Sequence, residues 1–426
     1  MKAIGRSPIL FHSLCLLISA VFAASAVKAD EGSPEADIQR IIARLESGDD
    51  ADRKEARATL QNLAGRAGKN DKTRRPVSLA LIEIAGNTTL SDVTRVSALQ
   101  VLPRVGRYEA VRPVAGMLKS ENPKLRDAAR QSLEALPVPT ATKPLRDALK
   151  TATGEFRVAL VQSVGKRQDS LSVGLLLPMA TSEERALRLA ALAALAEIGD
   201  RSAKDVIDAA VANVTADDRD AVLASFTRFA WRLRETSEGG ASRRAFLKLA
   251  ELEGKWCVAG IEGLGKTGVR REVPLLLSFL DSEDETIRNA ARQALGGLRG
   301  SALDIAAIVD TADTPLARRA ELLDVLALRK DASRVADSIV KASHHHAPEV
   351  RGSAAGALAR LDVDTAGARL MALLADADAS VKKRTSKVLV MWKADGAHAF
   401  LEKQRDATPD AGLRASLEAI LEARKA

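Results

Sequence analysis

Thr286-Ile-Arg-Asn-Ala-Ala-Arg-Gln-Ala-Leu-Gly-Gly-Leu-Arg-Gly300 is the stretch whose reading decides the fold. Ala291, Leu295 and Leu298 stand three, seven and ten residues after Arg288, a spacing that lines one face of an α-helix. The face is small at one end and large at the other. Alanines let a neighbouring helix approach closely, and leucines fill the space left beside them.

The pattern returns almost from end to end, and a period of this kind defines a fold before any single element does. Arg288 aligns with Arg53, Arg95, Arg126, Arg157, Arg188, Arg219, Cys257, Arg318, Arg351, Lys382 and Arg414. From Arg95 to Arg219 the interval is 31 residues four times running. The small site recurs at Ala98, Ala129, Ala191 and Ala354, and the large one at Leu102, Leu133, Leu195, Leu264 and Leu358.

Upstream of each arginine site lies a second apolar segment, such as Val111 to Leu118, Leu145 to Leu149 or Val273 to Leu280. Pro113, Pro144 and Pro274 are expected in the first turns of these helices, where a missing amide proton costs nothing. Each repeat then reads as two antiparallel helices. Low aromatic content (3%) beside 46% hydrophobic residues fits helices packed through small side chains.

A two-helix repeat of this length, best formed at Leu187 to Gly199 and Ile287 to Leu298, resembles the short HEAT repeats of the family that includes the HEAT-like bilin lyases. The resemblance covers roughly residues 35 to 426. It implies an all-α, right-handed α-solenoid of about twelve two-helix repeats, on the order of 100 Å long. Two departures from the period are expected as exposed loops, near 65–75 and 235–242.

Residues 1–29 read as a cleaved secretory signal, with Lys2 and Arg6 before an apolar run and Val27-Lys28-Ala29 offering a cleavage site. The expected domain organisation is this signal followed by a single solenoid over 30–426, in a periplasmic or secreted protein of bacterial type. Cleavage takes the formal charge from +8 to +5 and leaves Cys257 without a disulfide partner. No segment after the signal has the apolar length to span a bilayer.

Several motifs suggest chemistry and dissolve into the repeat. Gly260-Ile-Glu-Gly-Leu-Gly-Lys-Thr267 satisfies a phosphate-loop pattern, but Gly260 and Gly263 occupy small sites of the helix and no strand precedes them, so no nucleotide is expected. His344-His345-His346 is expected to be a solvated loop insertion, since adjacent side chains cannot all face one ion. Cys257 reads as a buried small hydrophobe. The paired His-Glu motifs by which HEAT-type hydroxylases hold iron are absent.

Two columns remain. Arg95, Arg126, Arg157, Arg188, Arg219, Arg288, Arg318, Arg351 and Arg414 form an arginine ladder expected to tie turns together through carboxylates or carbonyls. Nine residues beyond each stands a second column, in which Arg104, Lys166, Arg228, Lys266 and Arg360 face one acid, Glu197. It is a candidate basic stripe on the concave side, suited to an acidic protein surface or an anionic polymer. The function expected from these features is that of an exported, non-catalytic scaffold or adaptor binding a protein partner, without a cofactor or catalytic residues. The alternatives are a HEAT-type lyase or hydroxylase using bilin or iron, and a nucleic-acid binder like the HEAT-like DNA glycosylases. Export and scarce aromatics speak against nucleic acid.

Overall fold

The computed structural model describes residues 34–46, 49–69, 71–236 and 238–425. The signal segment expected over 1–29 lies outside them. Although the period runs on through position 226, packing divides the chain into two compact units, Met1–Ser225 and Phe226–Ala426.

The first unit carries α1 (Pro34–Glu46), α2 (Asp50–Ala67), α3 (Asp71–Gly86), α4 (Asp92–Val101), α5 (Tyr108–Met117) and α6 (Pro123–Ala135), then α7 (Thr142–Leu149), α8 (Gly154–Lys166), α9 (Val173–Met179), α10 (Arg185–Ile198) and α11 (Lys204–Ala212). The boundary falls inside α12 (Arg219–Glu235). The second unit continues with α13 (Gly239–Ala250), α14 (Gly254–Thr267), α15 (Val273–Ser278), α16 (Glu285–Gly297), α17 (Ala302–Asp310) and α18 (Leu316–Leu328), then α19 (Ala336–Ala342), α20 (Pro348–Leu358), α21 (Val363–Leu374), α22 (Ala379–Val390), α23 (Ala397–Ala407) and α24 (Ala411–Ala423). No strand occurs among the described residues.

Each unit is a row of helical hairpins whose second helices pack on one another. In the first unit α4, α6, α8 and α10 do so, and in the second α14, α16, α18, α20 and α22. The repeat's apolar positions make this core: Ala98, Ala129, Ala191, Leu102, Leu133 and Leu195 are fully buried, as are Ala291, Ala354, Leu264, Leu295 and Leu358. Second helices start on side-chain caps. Ser91, Asn122, Asp284, Asp378 and Asp410 each accept from an amide of the first turn.

Both expected loops are mostly helix. Within 65–75, only Gly68 and Lys69 are described as turn, between α2 and α3. Gly68 answers to a close approach, since a Cβ there would lie 2.7 Å from the Arg104 carbonyl oxygen. Within 235–242, α13 has already begun at Gly239, and Ser242 is buried with its hydroxyl donating to Ala230 O at 2.7 Å. The longer repeat intervals are therefore longer helices. Pro113 also departs from expectation, because α5 starts at Tyr108 and places the proline sixth, inside the helix, where one internal hydrogen bond is lost.

Candidate interaction surface

The five residues of the basic column are all exposed, Arg104, Lys166, Lys266 and Arg360 at the C-terminal ends of second helices or just beyond them and Arg228 in the middle of α12. Arg104 and Lys166 belong to the first unit, and Arg228, Lys266 and Arg360 to the second. Their surroundings differ. Lys166 Nζ lies 2.9 Å from Glu134 Oε1 on α6. Burial raises the Glu134 pKa, but hydrogen bonds from Lys166 and Ser163, with the charges of Lys166 and Arg130, outweigh it and hold the carboxylate below its usual range. Arg360 donates to the Ala327 carbonyl of α18. Lys266 and Arg104 make no ion pair with a described residue. The column thus differs in availability from repeat to repeat, a property that residue type alone does not convey.

Ladder arginines turn mainly toward their own repeat. Arg126, Arg188, Arg288, Arg351 and Arg414 each donate to the carbonyl six residues earlier, in the turn that closes the hairpin. That turn carries carbonyls left orphaned at the end of the first helix. Four ladder arginines meet a carboxylate: Arg188 reaches Asp218, Arg351 forks onto Asp376 at 2.7 and 2.8 Å, Arg318 pairs with Asp281 and Glu321, and Arg95 lies 3.7 Å from Asp92. Arg95 donates to Ala85 O, while Arg157 has a buried Nε without a partner and Arg219 is exposed. Acids of the same turns divide in their use, since Asp284 and Asp378 serve as helix caps.

A third arginine set was hidden in the apolar positions. Arg167, Arg329 and Arg424 stand ten or eleven residues past the ladder, where most repeats carry a large hydrophobe. Each sends its guanidinium back one repeat to the open carbonyls at the end of the preceding second helix. Arg167 donates to Leu133, Glu134, Leu136 and Val138. Arg329 reaches Leu295 and Leu298, and Arg424 reaches Leu389, Val390 and Trp392. The signal available in the sequence was the break in apolar register at these three sites.

The remaining motifs fall into the packing. Gly260 to Thr267 lies within α14, and a Cβ on Gly260 would come 2.2 Å from Ala250 N. Gly268 ends that helix in an extended conformation, unlike the left-handed Gly199. Cys257 is buried, and that burial, with Asp284 nearby, pushes its thiol pKa up. The histidine stretch is not simply solvated as expected: His345 is half-buried, with Nε2 2.7 Å from Arg319 Nη1 and Nδ1 accepting from Ala347 N–H at 3.1 Å. Among the described residues no three His, Cys, Asp or Glu side chains gather as a metal site, and no helix is long and apolar enough to cross a membrane.

Comparison with known proteins agrees with this architecture. A family model described as HEAT repeats matches residues 78–165, which span α4 to α8 and the end of α3. No curated protein matches the chain by sequence. Among solved structures, Kap121p bound to Ste12p superposes with a TM-score of 0.51 at 13% identity, covering 93% of this chain and 49% of that one. Kap121p bound to Pho4p gives 0.50 at 12% identity, with 93% and 50% covered. The chain spans about half the length of these structures, and the likeness is one of fold. Residues 78–165 match HEAT repeats, and the rows of stacked hairpins give the chain an all-α, HEAT-like solenoid fold.

Proposed function

We propose that this protein is an exported, non-catalytic scaffold or adaptor that binds an acidic protein partner along the concave face formed by its second helices. The observation that carries the reading is the exposure of Arg104, Lys166, Arg228, Lys266 and Arg360 at equivalent repeat positions. The second helices and the turns that end them hold these cations, while Ala and Leu on the opposite side of the same helices form the core. Within each unit, cations so held recognise spaced carboxylates and speed encounter through their field. Lys166 would exchange Glu134 for the partner's acid, whereas Lys266 has no internal ion pair to give up.

Crosslinking in the native envelope, followed by mass spectrometry, identifies the partner. Charge reversal of Lys166, Arg228 and Lys266 together is expected to abolish capture while leaving helicity intact, and raised salt is expected to weaken it. Capture that survives the triple reversal unchanged would sink the reading.

A further inference from the structure

A recess of about 760 Å³ opens in the first unit between the ends of α5 and α7 and the turns leading into α6 and α8. Leu118, Pro144, Ala148 and Phe156 give it apolar walls, with Lys119 and Arg126 beside them. A volume of this size, with apolar walls and charged side chains beside them, suits a small ligand or a side chain of a partner.

Arg126 holds the ladder position of its repeat, and like Arg157 and Arg288 it meets no carboxylate; what sets it apart is the recess beside it. Arg188 and Arg351 each grip a carboxylate of the following repeat. Arg126 has none. Its side chain makes one hydrogen bond, to Ser120 O at 3.3 Å, its Nε is buried without a partner, and its guanidinium carbon lies 4.7 Å from the centroid of the Phe156 ring. Register explains the difference: Asp218 follows Arg188 by 30 residues, and Phe156 follows Arg126 by 30. The next repeat presents a ring where the sister repeat presents an acid.

No other acid fills the gap. Asp147 lines the recess, but Lys143 and Lys150 hold it at 2.5 and 2.9 Å and keep its pKa at about 2. We propose that the recess binds a carboxylate joined to an apolar body. The carboxylate completes Arg126, with Lys119 at the rim, and the body lies against Phe156, Leu118 and Pro144. This chemistry occurs in small organic acids and at the C-terminus of a polypeptide. The site is separate from the basic column, because Phe156 and Lys166 stand ten residues apart on α8, about 15 Å along its axis.

The test is calorimetric titration of the full chain with 3-phenylpropanoate, with a short peptide ending in leucine as its free acid, and with the same peptide as its C-terminal amide. At least one acid is expected to bind at millimolar concentration or below, and the amide at least about 10-fold more weakly than the peptide acid. Binding of the peptide acid alone assigns the site to a protein terminus, and binding of phenylpropanoate assigns it to small acids. Arg126→Gln, and Phe156→Asp, which supplies the internal carboxylate, are each expected to lower affinity at least about 10-fold. Lys119→Gln changes an exposed side chain and is expected to lower affinity about 3-fold, which covers the case in which Arg126→Gln fails to fold. No heat with either acid overturns the proposal. So does affinity unchanged in both Phe156→Asp and Lys119→Gln.

Discussion

Arg329 is 2% exposed and spends its donors on two carbonyls, Ser301 and Asp331, whereas Arg414 is exposed and holds one carbonyl of its own turn. Truncating the first strands buried acceptors and a carboxylate. Arg329→Met is expected to cost about 3 kcal/mol in chemical denaturation, and Arg414→Ala under about 1 kcal/mol. Gln168, one residue past the Arg167 cap of α8, adopts φ 52° in the left-handed region, as Gly199 does at φ 72° at the end of α10. Gln168→Gly should therefore raise stability by about 1 kcal/mol, read as a higher thermal midpoint. Burial, then the charges of His346 and Arg319, depress the His345 pKa, with Arg351 acting alike and Glu349 opposing. The unfolded chain then takes up this proton first. Stability contributed at this site is complete above about pH 6.5 and falls as pH drops through the folded pKa, and His345→Gln should flatten that part of the pH–stability curve. Residue types at these positions were legible from the chain. Which donor meets which acceptor was not, because the partners lie some 30 residues away, across a repeat interface.

Within helix α14, the small-residue sites expected from the period are contact points of known severity. Gly260→Ala would set a Cβ 2.2 Å from a backbone nitrogen of α13. Backbone cannot rotate aside, so a loss of about 3 kcal/mol is expected in denaturant melts. Gly174 on α9 has nothing within 4 Å of its added Cβ, and Gly174→Ala should stabilise by about 0.5 to 1 kcal/mol. If the two glycines responded alike, the packing account of α14 would be wrong. Loop expectations at 65–75 and 235–242 failed at this scale because glycine reads as a loop former in isolation. Gly68 instead marks a close approach to the Arg104 carbonyl, while Gly239 and Gly240 open α13 with no tight neighbour, and only the tertiary structure distinguishes these cases.

For the whole molecule, export is a proposal with a direct readout: Edman or mass-spectrometric analysis of protein recovered from the envelope should find Asp30 as the first residue. An intact Met1 in that fraction would refute cleavage. The sequence by itself determined the all-α class, the two-helix repeat and the core positions, because burial of one helical face repeats with a period that any single chain displays. It also placed the arginine ladder and the exposed basic column on common helical positions. Only the tertiary structure decided the lengths of α2 and α12, the division into two units, and the cross-repeat arginines Arg167, Arg329 and Arg424. It alone revealed Phe156 standing where a sister repeat places Asp218. Periodic burial is a local property, encoded in spacing along one helix. Pairing of a charge is a property of two repeats at once, fixed by which side chains stacking brings within reach.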